Sequence, residues 1–137
     1  MNEISRLPQT RFAAVFRPAL IRPLFFLLSF LLLAYFCKYG FNEADEGIPL
    51  NGGIRILNGE LPWRDFQGYL PGIYVLHALI FKLFGMDILV VRRVMAFFVA
   101  LIALMILRVS ERLMPLPFAI LAACLYLVAP GVYYAQY

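Results

Sequence analysis

The chain has 137 residues, 64% of them hydrophobic and 15% charged, with a formal net charge of +4. Soluble domains run at about 45–50% apolar and about 25% charged, so this composition and a mean hydropathy of +0.83 exclude a soluble globular domain, a disordered chain and a disulfide-stapled secreted module. At about 20 residues per crossing, the length holds three spans, or four with minimal loops: a small integral membrane protein, or a piece of a larger one.

Residues 1–23 carry Arg6, Arg11, Arg17 and Arg22 against the single acid Glu3. This basic start reads as a cytoplasmic flank obeying the positive-inside bias, not as a nucleic-acid-binding signal. The apolar run that follows leads into Cys37-Lys38-Tyr39 without a small-residue cleavage site, so the expectation is a retained first helix and not a cleaved signal peptide. The first span is expected over 24–41. Pro23 is placed at its start, where a missing N–H is harmless. Lys38 snorkels, and Tyr35, Tyr39 and Phe41 sit in an interfacial belt.

The segment 42–86 is expected to be an outer loop. It holds Glu43, Asp45, Glu46, Glu60 and Asp65, five of the eight acids, against Arg55 and Arg64 in its first thirty residues. Within it, Asp45 to Asn58 reads as a short helix with Ile48, Ile54 and Leu57 near one face, ended by Gly59 at C′ and weakened by Gly52-Gly53. Leu61 to Phe66 reads as extended, because a residue before proline avoids the α region. Pro71 to Phe84 reads as a second helix of about 21 Å, at about 1.5 Å per residue, too short to span. With Ile73, Leu76, Ile80, Leu83 and Phe84 on one face, it is expected to lie in the interface, with Gly85 ending it. The second span is placed at 87–108, a short cytoplasmic loop with Glu111 and Arg112 at 109–114, and the third span at 115–137, opened by Pro115 and Pro117 and kinked near Pro130-Gly131. The fold class is thus all-α integral membrane, with three transmembrane helices, an outer loop carrying two short interfacial helices, and the N-terminus inside.

Chemistry has three candidate seats. Asp45-Glu46-Gly47 follows the first span closely, and a carboxylate there can deprotonate a hydroxyl or help hold a divalent cation; the competing reading is a solvated acidic loop. Arg92 and Arg93 lie at the outer end of the second span, against the positive-inside tendency. Arginine offers a fixed fork of donors to phosphate oxygens; alternatively the pair snorkels or meets loop carboxylates. Being adjacent, the two point about 100° apart. The third seat is the Gly59–Gly72 stretch, with turns around Trp63, Asp65 and Pro71-Gly72, read as a structured loop over a cavity. His77, alone among apolar residues, reads as packing and not as a ligand. Cys37 and Cys124 have no metal or redox spacing and read as free thiols.

The order Asp45-Glu46-Gly47, then Arg55-Ile56-Leu57-Asn58-Gly59-Glu60-Leu61-Pro62-Trp63-Arg64-Asp65-Phe66, then Pro71-Gly72, then Phe81-Lys82-Leu83-Phe84-Gly85 and an arginine opening the next span resembles the start of GT-C-type integral membrane glycosyltransferases, the family 39-related group of protein mannosyltransferases and aminoarabinose transferase-like enzymes. The resemblance runs from about Leu24 onward. It implies transfer of a sugar from a polyprenyl-phosphate donor to an acceptor hydroxyl on the outer side of what would be a bacterial inner membrane. It places the catalytic carboxylate at Asp45, with Glu46 beside it, and substrate contacts at Arg92 and Asp65. No metal ligand set is assigned; a divalent cation is left open, as metal dependence differs within the superfamily. Members are several times longer and tend to carry another acid in the next outer loop. The resemblance therefore implies an incomplete GT-C-like bundle, the N-terminal portion of such an enzyme, inactive by itself. The alternative is a small non-enzymatic membrane protein whose Ala100, Ala103, Ala119, Ala122 and Ala123 allow close packing against helix partners. A pore or carrier is disfavoured, since the mid-span positions are almost all apolar.

Overall fold

A computed structural model describes residues 18–39, 46–68 and 70–134. Among them the chain is all-helical, with five helices: α1 (Pro18–Phe36), α2 (Ile48–Leu57), α3 (Pro71–Phe84), α4 (Ile88–Ser110) and α5 (Leu116–Tyr134). Of the three expected spans, α4 is long and apolar enough to cross a membrane. The apolar stretches of the other two, Leu20–Phe36 and Leu116–Ala129, are shorter, and so is Pro71–Phe84, the segment expected not to span.

The first helix is shifted from its expected 24–41 range. The described helix already runs from Pro18, so Pro23 lies inside it and removes one intrahelical bond, against the expectation of a proline at the helix start. The helix ends in a tightened turn, with Cys37 N–H donating to Leu33 O (3.0 Å) and Tyr39 N–H to Phe36 O (3.0 Å).

The outer-loop expectations are met in part. A wide π-type turn at Glu46–Gly47 leads into α2. Asn58 and Gly59 close α2 in a Schellman arrangement: Gly59 N–H donates to Ile56 O (3.0 Å), Glu60 N–H donates to Arg55 O (3.0 Å), and Gly59 takes φ +89°, the left-handed conformation glycine accepts without a Cβ penalty. The helix persists through Gly52-Gly53 because both glycines are buried under α3. A Cβ on Gly52 would overlap the Tyr74 ring, and one on Gly53 would come within 2.8 Å of the His77 Cβ and 3.1 Å of the Ala78 nitrogen. Packing of backbone on side chain thus outweighs the propensity loss of about 1 kcal/mol per glycine.

This contact also decides which faces are buried. The expected apolar face of α2 is turned out, with Ile48, Ile54 and Leu57 exposed. On α3 the buried stripe is Tyr74, His77, Ala78 and Phe81 with Ile80, whereas Ile73, Leu83 and Phe84 of the expected face are exposed. The segment boundaries of α3 match expectation, and Gly85 ends it at φ +94°.

By compactness the chain divides into two units, residues 1–29 with 100–137 and residues 30–99. In the first, Leu107, Ala119 and Ala123 form a buried cluster joined by Phe25, Leu104, Ile106 and Ile120; Ala100 and Ala103 are also fully buried, whereas Ala122 is half-buried. There Arg22 donates from Nε (3.0 Å) and Nη2 (2.8 Å) to one oxygen of Glu111 across 89 residues. In the second unit, Ile80, Phe81 and Val91 form the core, covered by Leu50, Leu76, Val90, Val94 and Met95. Asp87 caps α4 by accepting the Leu89 N–H at 2.8 Å.

Candidate functional site

Arg92 sits in the second turn of α4 with only 14% of its side chain exposed. Its Nη2 and Nε donate to the same Glu46 oxygen at 2.5 and 3.2 Å, and its Nη1 donates to the Cys37 carbonyl at 2.7 Å. One guanidinium thus ties three segments: the end of α1, the turn before α2, and α4. A cation on a carbonyl just past a helix C-terminus also meets the negative end of that helix dipole. The carboxylate is 37% exposed, so one member of the pair is enclosed and the other reaches solvent. Lys38 lies beside this junction, its ammonium 4.7 Å from the Tyr35 ring centre and 5.6 Å from that of Tyr39.

Of the four candidate residues, the structure brings Glu46 and Arg92 together. Asp45 lies outside the described residues. Asp65 serves a different local structure, a turn at Leu61–Phe66, and this corrects the expectation of an extended segment. Pro62 fixes the second position, Trp63 takes φ +68° at the third, and Arg64 N–H donates to Leu61 O at 3.3 Å. This is the pattern of a type II turn, which wants glycine at its third position. A non-glycine residue there stores about 1–3 kcal/mol. The turn is held by its neighbours. The Asp65 Oδ2 accepts the Leu61 N–H at 2.7 Å, Asp65 N–H donates to Leu61 O at 2.9 Å, and Trp63 N–H donates to Phe66 O at 2.8 Å. Arg64 grips both Asp65 oxygens, from Nε at 3.0 Å and from Nη2 at 2.8 Å. That contact first, and the Leu61 N–H second, hold the Asp65 carboxyl below the usual carboxylate range.

Arg55, in the last turn of α2, anchors the turn from beneath. It pairs with Glu60 at 2.5 Å, donates to the Asp65 carbonyl at 3.1 Å and stacks over the Phe66 ring at 4.4 Å. Phe66 in turn meets Tyr74 edge-on at 5.3 Å, and Gly68 leaves room for the Tyr74 hydroxyl. Tyr74, 1% exposed, is therefore the post on which α2, the turn and α3 converge, and sequence reasoning missed it. The available signal was Gly52-Gly53 within a helical pattern, which marks a close approach. His77 is buried, packed on Gly53, with Nδ1 2.6 Å from the Ile73 carbonyl, a packing residue as expected.

Among the described residues no group of three His, Cys, Asp or Glu side chains gathers to hold a metal ion. Cys37 and Cys124 are free and half-buried. No family model, no curated protein and no solved structure matches the chain.

Proposed function

We propose that this chain supplies the first spans and first outer loop of a GT-C-type membrane glycosyltransferase, which passes a sugar from a polyprenyl-phosphate donor to an acceptor hydroxyl outside a bacterial inner membrane. The ordered motifs of residues 45–85 support this reading. The observation that carries it is the Glu46–Arg92 pair, which sets a carboxylate and an enclosed guanidinium together near the start of the long apolar helix α4.

In this reading α1, α4 and α5 cross the bilayer. The Arg22–Glu111 bond supports a common cytoplasmic side for the start of α1 and the α4–α5 connection. The stretch Leu20–Phe36 of α1, with Arg22 near its inner end, covers about 25 Å, and snorkelling by Lys38 extends this reach. The outward apolar faces of α2 and α3 lie in the outer interface, with Lys82 reaching the headgroups.

Asp45, with Glu46 beside it, accepts the proton of the acceptor hydroxyl as that oxygen attacks the anomeric carbon. The bond from that carbon to the lipid phosphate breaks, and the phosphate leaves with the electron pair. Arg92 stabilises the charge that grows on the departing oxygen. Phosphate oxygens compete with Glu46 for the same guanidinium edge, so donor arrival and release of the Glu46 carboxylate are one exchange. Asp65 contributes through the turn it closes.

The test is a loop exchange. Residues 42–86 replace the first outer loop of a full-length GT-C transferase, and transfer from a polyprenyl-phosphate sugar is measured. Retained transfer that is abolished by Asp45→Asn, with unchanged membrane insertion, is the expected result. Undiminished transfer in Asp45→Asn refutes the base assignment. In the chain itself, reconstituted in nanodiscs, Arg92→Ala is expected to weaken binding of the lipid phosphate; unchanged affinity refutes that contact.

A further inference from the structure

The turn at Leu61–Phe66 holds two aromatic residues and uses them oppositely. Phe66 is consumed by packing, with Arg55 over its face and Tyr74 at its edge. Trp63 is presented: its side chain is 59% exposed while its backbone is held at φ +68° in a position that glycine would fill without strain. The turn does not need an indole to close, since its hydrogen bonds come from Asp65, from Arg64 and from backbone groups. A strained backbone that is over-determined by its surroundings and carries a large exposed ring is a pattern of functional sites.

The next residue along the turn is Arg64, 66% exposed along its side chain. Asp65 engages its Nε and Nη2 and so leaves Nη1 for a ligand. An exposed flat apolar face and an exposed guanidinium held on Asp65, carried by successive residues of one turn, suit a sugar ring, whose axial C–H groups stack on an aromatic face while its rim hydroxyls accept from a cation.

We propose that Trp63 is the stacking platform for the sugar carried by the lipid-phosphate donor, with Arg64 binding the rim of that sugar. This rests on the glycosyl-transfer reading above and adds to it the residue that tells a sugar-loaded carrier from an empty one. The hydrogen-bonded turn fixes the backbone from which the indole is presented before the ligand arrives, which lowers the ordering cost of binding.

Trp63 is the only tryptophan of the chain, so its fluorescence reports this site alone. The full chain in nanodiscs is titrated with farnesyl phosphate and with mannosyl, glucosyl and arabinosyl farnesyl phosphate, and binding is followed independently by native mass spectrometry. At least one sugar-bearing lipid is expected to shift the Trp63 emission and to bind more tightly than farnesyl phosphate. In Trp63→Gly that preference falls about three- to tenfold, although the variant is as thermostable as the parent or more so. Trp63→Phe retains the preference. Equal preference in Trp63→Gly and the parent overturns the platform. So does an emission that is quenched by brominated phospholipids and indifferent to every sugar lipid, which makes the indole a bilayer anchor. Binding of farnesyl phosphate without any effect of the sugar overturns the platform and leaves the glycosyl-transfer reading standing; binding of none of the four lipids overturns both.

Discussion

Arg92 and Glu46 are joined side chain to side chain across 46 residues of sequence, through two donors on one carboxylate oxygen. The same guanidinium bonds the Cys37 carbonyl, so removing it loosens both the loop entry and the end of α1. Arg92→Ala is expected to destabilise the fold by about 1–3 kcal/mol, as for bonds to charged groups. Glu46→Ala should remove less, because its carboxylate is the more exposed partner. A double-mutant cycle read by thermal unfolding is expected to give a coupling of about 0.5–3 kcal/mol. Additive losses would show that the pair contributes nothing.

Gly52 and Gly72 are both helical glycines with opposite surroundings. A Cβ at Gly52 meets the Tyr74 ring, whereas one at Gly72 meets nothing within 4 Å. Gly52→Ala is expected to lower stability by about 1–3 kcal/mol through overpacking. Gly72→Ala should be neutral or slightly stabilising through helix propensity. Urea midpoints of the two variants check this, and equal midpoints would refute the close packing of α2 on α3.

Arg22 places both its donors on one oxygen of Glu111, and the other oxygen, Oε1, is buried without a hydrogen-bond partner among the described residues. With the Glu111 side chain only 11% exposed, Arg22→Ala leaves a charge that is enclosed and uncompensated. That single variant is expected to be less stable than the double variant Arg22→Ala with Glu111→Ala. Thermal melting in detergent orders the two, and the reverse order would show that Glu111 is well solvated without its partner.

Asp65 gives the turn a defined pH dependence. Its carboxyl is held below the ordinary value of 3.8 by Arg64 and the Leu61 N–H. A folded-state pKa that is lowered means the carboxylate stabilises the turn fully above the unfolded value, and that support is lost as pH falls through the folded one. Trp63 emission should therefore be constant from neutrality down to the usual carboxylate range and change only below it. Asp65→Asn should show the altered emission already at pH 7. A transition in the parent near neutral pH would contradict this assignment.

Helix existence along the chain was legible because it rests on local signals. Gly59 and Gly85 stop α2 and α3 where the pattern placed them, and the 71–84 segment came out with the same ends. The internal place of Pro23 is not legible in the sequence, because a proline just before an apolar run reads as a helix start and the uncharged run begins only at Leu24. The turn at Trp63 was read as extended because the rule for residues before proline speaks only of Leu61. The fold-back depends on Asp65 reaching the Leu61 N–H and on a positive φ that a tryptophan does not advertise. Of the site, the acids and arginines stood out by type, and their meeting was only one of the readings open for Arg92.

Composition and hydrophobic spacing act residue by residue, and they suffice to make the chain helical and strongly apolar, with five of its eight acids in one loop. Tertiary structure alone decided which faces are covered. Tyr74 needs a surface without side chains, Gly52 and Gly53 provide it, and their meeting turns Ile48, Ile54 and Leu57 outward against the simple apolar pattern. It also decided that Glu46 is Arg92's partner, since a contact between residues 46 positions apart depends on where the turn before α2 meets α4 and not on any local preference.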